Sequence, residues 1–321
     1  MASYLRALRS RILTPNVSAT SLDTRGFHVK NEAAKELLET VGRSFLAGYS
    51  YATGARTPAD AEERLEGVAP QFRGFAYEGA AMGFTVLDRL PVGGGSRMAG
   101  FLAGRGDDHI YMAYIGIGWA MARLPRFRWP RITPLDPLLR WLVLDGYGFH
   151  QAYFHTGRYV HEQVRTDVPW PTDAWYVNHA VDQGIGRALW FVGGTEPDLV
   201  CTMIDGFAET RRPDLYGGAG LAATYAGGAD ESELRAFWDR AGCYRPQVAQ
   251  GCAFAAEARI RAGLVVPHTH LAARVFCDMT PAQAAELSGK HRPDPHTQAD
   301  LPGYELWRRR IAGEFASIGR C

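Results

Sequence analysis

Apolar positions along this chain recur every three to four residues, and that spacing predicts helices. Residues 32–50 and 58–67 carry leucine and alanine at helical spacing. Thr57-Pro58 followed by DAEERLEG has the form of a capped start with a glycine stop. The segment ADESELRAFWDRAG (229–242) uses the same grammar: Asp230 or Ser232 can cap, acids fill the first turn and Gly242 ends it. EPDLVCTMIDGFAETRRPDL (196–215) again sets a proline near the start and Pro213 after the end. Strand-like alternation is rare, with RWLVLDGYGF (140–149) its main candidate.

A second pattern lies over the first. VGRSFLAGY (41–49), YEGAAM (77–82) and YIGIGWAMAR (114–123) each place a glycine before a small, apolar run. IGRALWFVGG (185–194), YGGAGLAATYAGG (216–228) and AQGCAFAAEAR (249–259) follow in the same order. Gly42, Gly79 and Gly116 are spaced by 37 and 37 residues, and Gly186, Gly218 and Gly251 by 32 and 33. Periods of this size belong to helix-turn-helix repeats that bury their apolar faces by stacking. The expected fold is therefore all-α, an internal duplication with pseudo-equivalent halves at 1–165 and 166–321 packed together. Function is expected where the halves meet. Proline-aromatic loops at 125–138 and 167–176 place a soft boundary near 165–180, and the polar loop GKHRPDPHTQADLPGY (289–304) is expected to move.

Composition narrows the class. With 321 residues and 46% hydrophobic content the chain can bury a core, and 35 basic against 34 acidic residues leave a net charge of +1. No overall field recruits nucleic acid. Five cysteines, odd in number and without a CxxC pair, disfavour a disulfide framework or a zinc ribbon, so a reducing cytoplasm is the expected location. No apolar run is long enough to span a bilayer, and MASYLRALRSRILTP lacks the form of a secretory leader. Two readings of that amino-terminal segment stay open. It is a docked first helix, or it attaches to a membrane or partner protein with Arg6, Arg9 and Arg11 facing lipid phosphates while Leu5, Leu8 and Ile12 insert.

The densest candidate chemistry is LDGYGFHQAYFHTGRYVHE (144–162), with Asp145, His150, Tyr153, His155, Tyr159 and His161. A helix over 149–161 would put His150 and His161 on nearly one face and His155 elsewhere. Histidine suits proton transfer near neutral pH and tyrosine can orient a substrate oxygen. The plainer reading is a set of aromatics at the edge of the core. In VDQGIGRALWF (181–191), Asp182 would cap a helix beginning near Gly184, or would form a structural ion pair with Arg187. Glu78 and Gln250 each precede a glycine in an apolar helix. A buried carboxylate there must meet an arginine, Arg73 or Arg123 being candidates, or take a raised pKa, or stay wet. PHTH (267–270) and His179-x-x-Asp182 have metal-binding spacing but no supporting third ligand, so no metal and no cofactor is expected. A Walker loop, a dinucleotide-binding glycine fingerprint and a GxSxG elbow are all missing.

RGFAYEGAAM, YIGIGWAMARLPR, WLVLDGYGFHQAYF, VDQGIGRALWFV, DLYGGAGLAATYAGG, RPQVAQGCAFAAEARIRAG, PHT and YELWRRRI together resemble domain-of-unknown-function family 1702, over essentially the whole chain. The resemblance implies a cytoplasmic protein of enediyne natural-product biosynthesis in actinobacteria. It would act with sibling cassette proteins, some of them membrane-bound, after a polyketide synthase has made a linear polyene. The family supplies no catalytic residue set, so the residues below rest on local chemistry.

An apolar polyene needs a pocket of aromatic and small side chains. Tyr77, Tyr114, Trp119, Tyr147, Phe149, Tyr153, Trp190, Tyr225, Gln250 and Phe254 are the expected lining. His150 or Glu78 would move protons, Asp182 and Arg187 would set polarity at one end, and Asp145 is a further catalytic candidate. The competing reading is a non-catalytic helical scaffold or carrier that holds the polyene or docks a sibling. A terpene-cyclase-like enzyme is disfavoured, because no acid-rich magnesium motif is present.

Overall fold

Helix starts in this chain are written in short polar caps. Asn31 accepts from the backbone N–H of Ala34, and Thr57, Asp230 and Thr280 each form a reciprocal capping box with Asp60, Glu233 and Gln283. Each such cap contributes on the order of 1 kcal/mol by satisfying amides that the first turn leaves free.

The computed structural model describes residues 2–91, 95–294 and 300–320, and all regular structure in them is helical. In order these are α1 (Ala2–Leu13), α2 (Leu22–Arg25), α3 (Glu32–Gly54), α4 (Pro58–Leu65), α5 (Pro70–Asp88), α6 (Arg97–Leu102), α7 (Ile110–Arg123) and α8 (Trp141–Phe154). Then come α9 (Val177–Val192), α10 (Pro197–Asp205), α11 (Arg212–Ala226), α12 (Glu231–Ala241), α13 (Arg245–Arg261), α14 (Pro267–Ala272), α15 (Pro281–His291) and α16 (Gly303–Ser317). The Leu5 side chain, the glycines at 93 and 94, the centre of the polar loop at 295–299 and Cys321 lie outside the described residues.

The long helices pack in sequence: α3 on α5, α5 on α7, α7 on α8, α8 on α9, α9 on α11 and α11 on α13, with the shorter α15 packed on α13. Short helices α4, α6, α10 and α12 link the long ones, so a long–short–long–short–long order stands on each side of α8. The glycines explain this succession. Residues two apart on a helix point about 200° apart, so a Gly-x-Gly pair opens two nearly opposite faces to close approach. In α7, a Cβ on Gly116 would lie 2.2 Å from Glu78 O of α5, and one on Gly118 would lie 2.0 Å from Val143 O of α8. The same division holds for Gly146 and Gly148 in α8, facing α7 and α9, and for Gly184 and Gly186 in α9, facing α8 and α11.

Of the six glycines in the sequence pattern, Gly79, Gly116, Gly186, Gly218 and Gly251 sit at such crossings. Gly42 does not. It faces the side chain of Thr20, and Gly48 takes the crossing against Ala76 of α5. RWLVLDGYGF, the strand candidate, lies in α8 from Trp141 onward, because Gly146 and Gly148 use helical spacing to meet both neighbours. No continuous helix covers 149–161. It stops at Phe154, His155 caps it, and a short π-helical turn follows at Gly157–His161, which leaves His161 exposed.

One hydrophobic core runs from Leu22 to Phe315 through both sides of α8, and a smaller cluster gathers Tyr77, Phe84 and Phe101. The segment before α3 is tied across the molecule. His28 N–H donates to Val192 O at 3.0 Å, and Lys30 Nζ reaches Gly228 O and Glu233, both at 2.8 Å. The four described cysteines are free.

Candidate functional site

The closely packed helices α3, α5, α7, α8 and α9 surround a narrow apolar cleft. Helical spacing builds its walls. Phe45 and Tyr49 stand one turn apart on α3, Phe149 and Tyr153 one turn apart on α8, and Trp119 of α7 bridges them, 4.4 Å from Phe45 and 5.3 Å from Phe149 between ring centres. Phe75 and Met82 of α5 and Phe191 of α9 add to the wall, as do Pro15, Ala19 and Thr20 from the segment between α1 and α2.

Four chargeable groups line this apolar space: Glu78, Arg123, His150 and Arg187. Glu78 is buried on α5, and burial pushes its carboxyl up to about 7. The Arg187 guanidinium opposes that rise, the Asp145 carboxylate adds to it, and the Trp119 indole lowers it a little without completing a hydrogen bond. Arg187 cannot fully neutralise Glu78, because its Nη1 donates to Asp145 Oδ1. Behind that pair, Gln183 Nε2 donates to Asp145 Oδ2 at 2.6 Å and to the Tyr304 hydroxyl at 2.9 Å. Asp145 thus stands as the counter-ion that fixes Arg187, one layer behind the cleft.

His150 is 3% exposed, edge-on to Trp119 at 5.4 Å, and neither of its ring nitrogens has a hydrogen-bond partner. Burial, followed by the charges of Arg123 and His155, lowers its pKa to about 3. A neutral imidazole is therefore a weak base at physiological pH. Its chemistry is that of a donor and an acceptor awaiting a polar group on a ligand.

The remaining expected residues divide clearly. Asp182 does not meet Arg187, nor does it cap α9, which begins five residues earlier at Val177. It is held by Arg211, with Nη2 to Oδ1 at 2.6 Å and Nε to Oδ2 at 2.9 Å. Among the expected lining residues, Trp119, Phe149 and Tyr153 reach the cleft. Tyr77 lies on the other side of α5, stacked on His109 and donating to Glu66 at 2.7 Å. The Tyr114 hydroxyl accepts from Asp136 N–H, Tyr147 packs on Trp129, and Trp190 donates to Gly227 O. Tyr225 and Phe254 line a second, smaller apolar cleft between α7, α8, α11, α13 and α16. Gln250 sits beside Arg308 of α16. Arg73, one expected partner of Glu78, pairs with Glu66 instead.

Sequence reasoning missed Phe45, Tyr49, Met82, Phe154 and Phe191. The signal was present for the α3 and α8 aromatics as i, i+4 pairs, Phe45 with Tyr49 and His150 with Phe154. Among the described residues no group of three or more His, Cys, Asp or Glu side chains is arranged to hold a metal ion.

A family profile described as a protein of unknown function (DUF1702) matches residues 4–315. No curated protein and no solved structure matches the chain.

Proposed function

The chain belongs to the DUF1702 family of proteins of unknown function, and from that premise we propose that it is an enediyne-biosynthesis protein that binds a linear conjugated polyene in the apolar cleft and rearranges it by proton transfer from Glu78. The observation that carries this reading is a carboxyl group with a pKa of about 7 at the wall of an otherwise apolar, aromatic cleft. A carboxylic acid so placed is partly protonated at neutral pH and can give its proton to a polyene carbon. The aromatic faces of Trp119, Phe45 and Phe149 are suited to the cationic chain that forms. Return of a proton from a neighbouring carbon to the Glu78 carboxylate closes the cycle. The product is an isomer of the substrate, with a shifted or ring-closed π-system, and no electrons are gained or lost. His150 accepts from, or donates to, an oxygen at one end of the chain.

The alternative is a carrier that holds the polyene and docks on sibling proteins or a membrane surface. The observation favouring it is α1, which turns Tyr4, Leu8 and Ile12 outward at 72, 41 and 71% exposure, with Arg11 between them. No described helix is long and apolar enough to cross a membrane.

The test is incubation of the purified protein with the synthase-derived polyene, following absorbance and product mass. A change in absorbance at constant mass, absent with Glu78→Gln, supports the isomerase. Binding without spectral change supports the carrier, and an altered mass rejects proton transfer as the whole reaction.

A further inference from the structure

At the N-terminal end of α9 a polar pocket of about 590 Å³, open to solvent, lies between α9, α11, α13 and α16 and shares no lining residue with the apolar cleft. His179 of α9 stands at its edge. The ring stacks on Tyr176 at 5.5 Å and its Nδ1 meets Asp214 Oδ2 of α11 at 2.7 Å, so its Nε2 has no part in that pair. With Nδ1 protonated toward the carboxylate, Nε2 is the reactive nitrogen.

The acidic groups of this pocket are already matched. Arg308 Nη1 donates to Asp214 Oδ1 at 2.7 Å, to the Tyr176 hydroxyl at 3.0 Å and to Glu305 Oε2 at 3.3 Å. Arg309 Nε donates to Glu305 Oε1 at 2.6 Å. Two carboxylates thus stand against two guanidiniums, and the protonation of His179 decides whether the pocket is neutral or carries one positive charge.

What is unmatched points to a ligand. Gln250 is 2% exposed, yet its Nε2 has no hydrogen-bond partner, while its Oε1 accepts from Arg308 Nε at 3.4 Å. Gln247 Oε1 is likewise buried without a partner. A buried amide donor left unpaired costs on the order of 1–3 kcal/mol, which a bound acceptor oxygen would recover. The buried donor without a partner is Gln250 Nε2, and His179 Nε2 joins it once protonated, beside the remaining N–H groups of Arg308 and Arg309 and the Thr210 hydroxyl that also line the pocket. Gln247 supplies one acceptor.

We propose that this pocket is a second ligand site, which binds the carboxylate of a small organic acid through Gln250 Nε2 and the His179 imidazolium. A monoanion fits better than a phosphate dianion, because the pocket offers at most one net positive charge. Gln247 Oε1 takes a hydroxyl proton of the same molecule or of a water bridging to it. Binding is proton-linked. The hydrogen bond to Asp214 raises the pKa of His179 above its ordinary value, opposed by burial and by Arg308 and assisted by the charges of Asp214 and Glu305. Affinity for a carboxylate therefore falls as pH rises through that raised pKa. By reciprocity, saturating carboxylate raises it further.

The experiment titrates the full chain with sodium acetate against sodium chloride at constant ionic strength, following the His179 Cε1–Hε1 NMR signal, assigned by its loss in His179→Gln. The expected result is a saturable shift with acetate and a higher His179 pKa in acetate than in chloride. Calorimetry should show acetate binding lose its pH dependence in His179→Gln and weaken about tenfold in Gln250→Leu. His179 is partly exposed, so its variant keeps the test available even if Gln250→Leu unfolds. A shift that stays linear, the same saturation in chloride, or tighter binding of inorganic phosphate than of acetate would each overturn the proposal.

Discussion

Arg187 donates Nη1 to Asp145 of α8 and so lies beside Glu78 without neutralising it. Two carboxyl groups stand near one guanidinium in a water-poor space, and only Asp145 is hydrogen-bonded to it. Glu78 is left as the group that takes up a proton. Its acidity is thus set by three helices, α5, α8 and α9, brought within reach through α7 by the glycine crossings at Gly116 (α7 on α5), Gly118 (α7 on α8) and Gly184 (α9 on α8).

Glu78→Gln changes how stability depends on pH. The Glu78 pKa is raised from 4.5 to about 7 on folding, so between those values the folded chain holds a proton that the unfolded chain has released. Its contribution is fully present below pH 4.5 and is lost as pH rises through 7. The loss amounts to about 3 kcal/mol. Urea unfolding at pH 5 and pH 8 should show Glu78→Gln gaining on the native protein by about that amount at the higher pH. An equal difference at both values would mean that Glu78 ionises as readily folded as unfolded.

His150→Phe should separate folding from function. The imidazole is packed between Trp119 and Phe154 with two unpartnered nitrogens, so a phenyl ring of similar shape removes their desolvation cost. At neutral pH the variant is expected to be as stable as the native protein or more so, by about 1 kcal/mol, while ligand binding in the cleft is lost. The folded His150 pKa is depressed from 6.5 to about 3, so the native contribution is present above pH 6.5 and lost as pH falls toward 3. The advantage of His150→Phe should therefore widen with acid. A melting-temperature series from pH 7 down to pH 4 reads both effects.

The helices, their caps and the small-residue crossings could be read from the sequence because each depends on residues within one or two turns. Thr57 and Asp230 cap as expected, and five of the six expected glycines meet a neighbouring helix. The cleft was only half legible. Glu78, His150 and Arg187 were found because a chargeable residue in an apolar run needs an explanation, but which helix face looks into which cavity is a tertiary fact. That is why Tyr77, Tyr114, Tyr147 and Trp190, aromatic and buried like Trp119, serve other contacts. The same limit misassigned Asp182, whose partner Arg211 lies 29 residues away in sequence, whereas Arg187 lies five residues away on the same helix.

Asp182→Asn tests that reassignment. Both oxygens of Asp182 receive hydrogen bonds from Arg211, and both side chains are buried, so the amide leaves an uncompensated guanidinium. Such breakage typically destabilises by about 3–5 kcal/mol. Denaturant unfolding should show a loss of that order, with ligand affinity of the remaining folded protein unchanged. A variant that folds normally and fails to bind would return Asp182 to the cleft.

The glycine crossings make the sharpest prediction, because helix propensity and packing oppose each other there. In an exposed helix, Gly→Ala stabilises by about 1 kcal/mol, and Gly313 of α16, with nothing within 4 Å of an added Cβ, should show that gain. Gly184 of α9 has the same local preference, but a Cβ there would stand 1.9 Å from Asp145 O and 2.8 Å from Phe149 N. These are backbone atoms that cannot turn aside, so α8 and α9 must separate, at a cost of about 1–3 kcal/mol or more by analogy with overpacked cores. The separation also moves Asp145 away from Arg187. Gly184→Ala should therefore lower the melting temperature and, in whatever folds, shift the pKa of Glu78, whereas Gly313→Ala raises the melting temperature and leaves Glu78 untouched. If the two substitutions behaved alike, helix propensity rather than close approach would govern these positions.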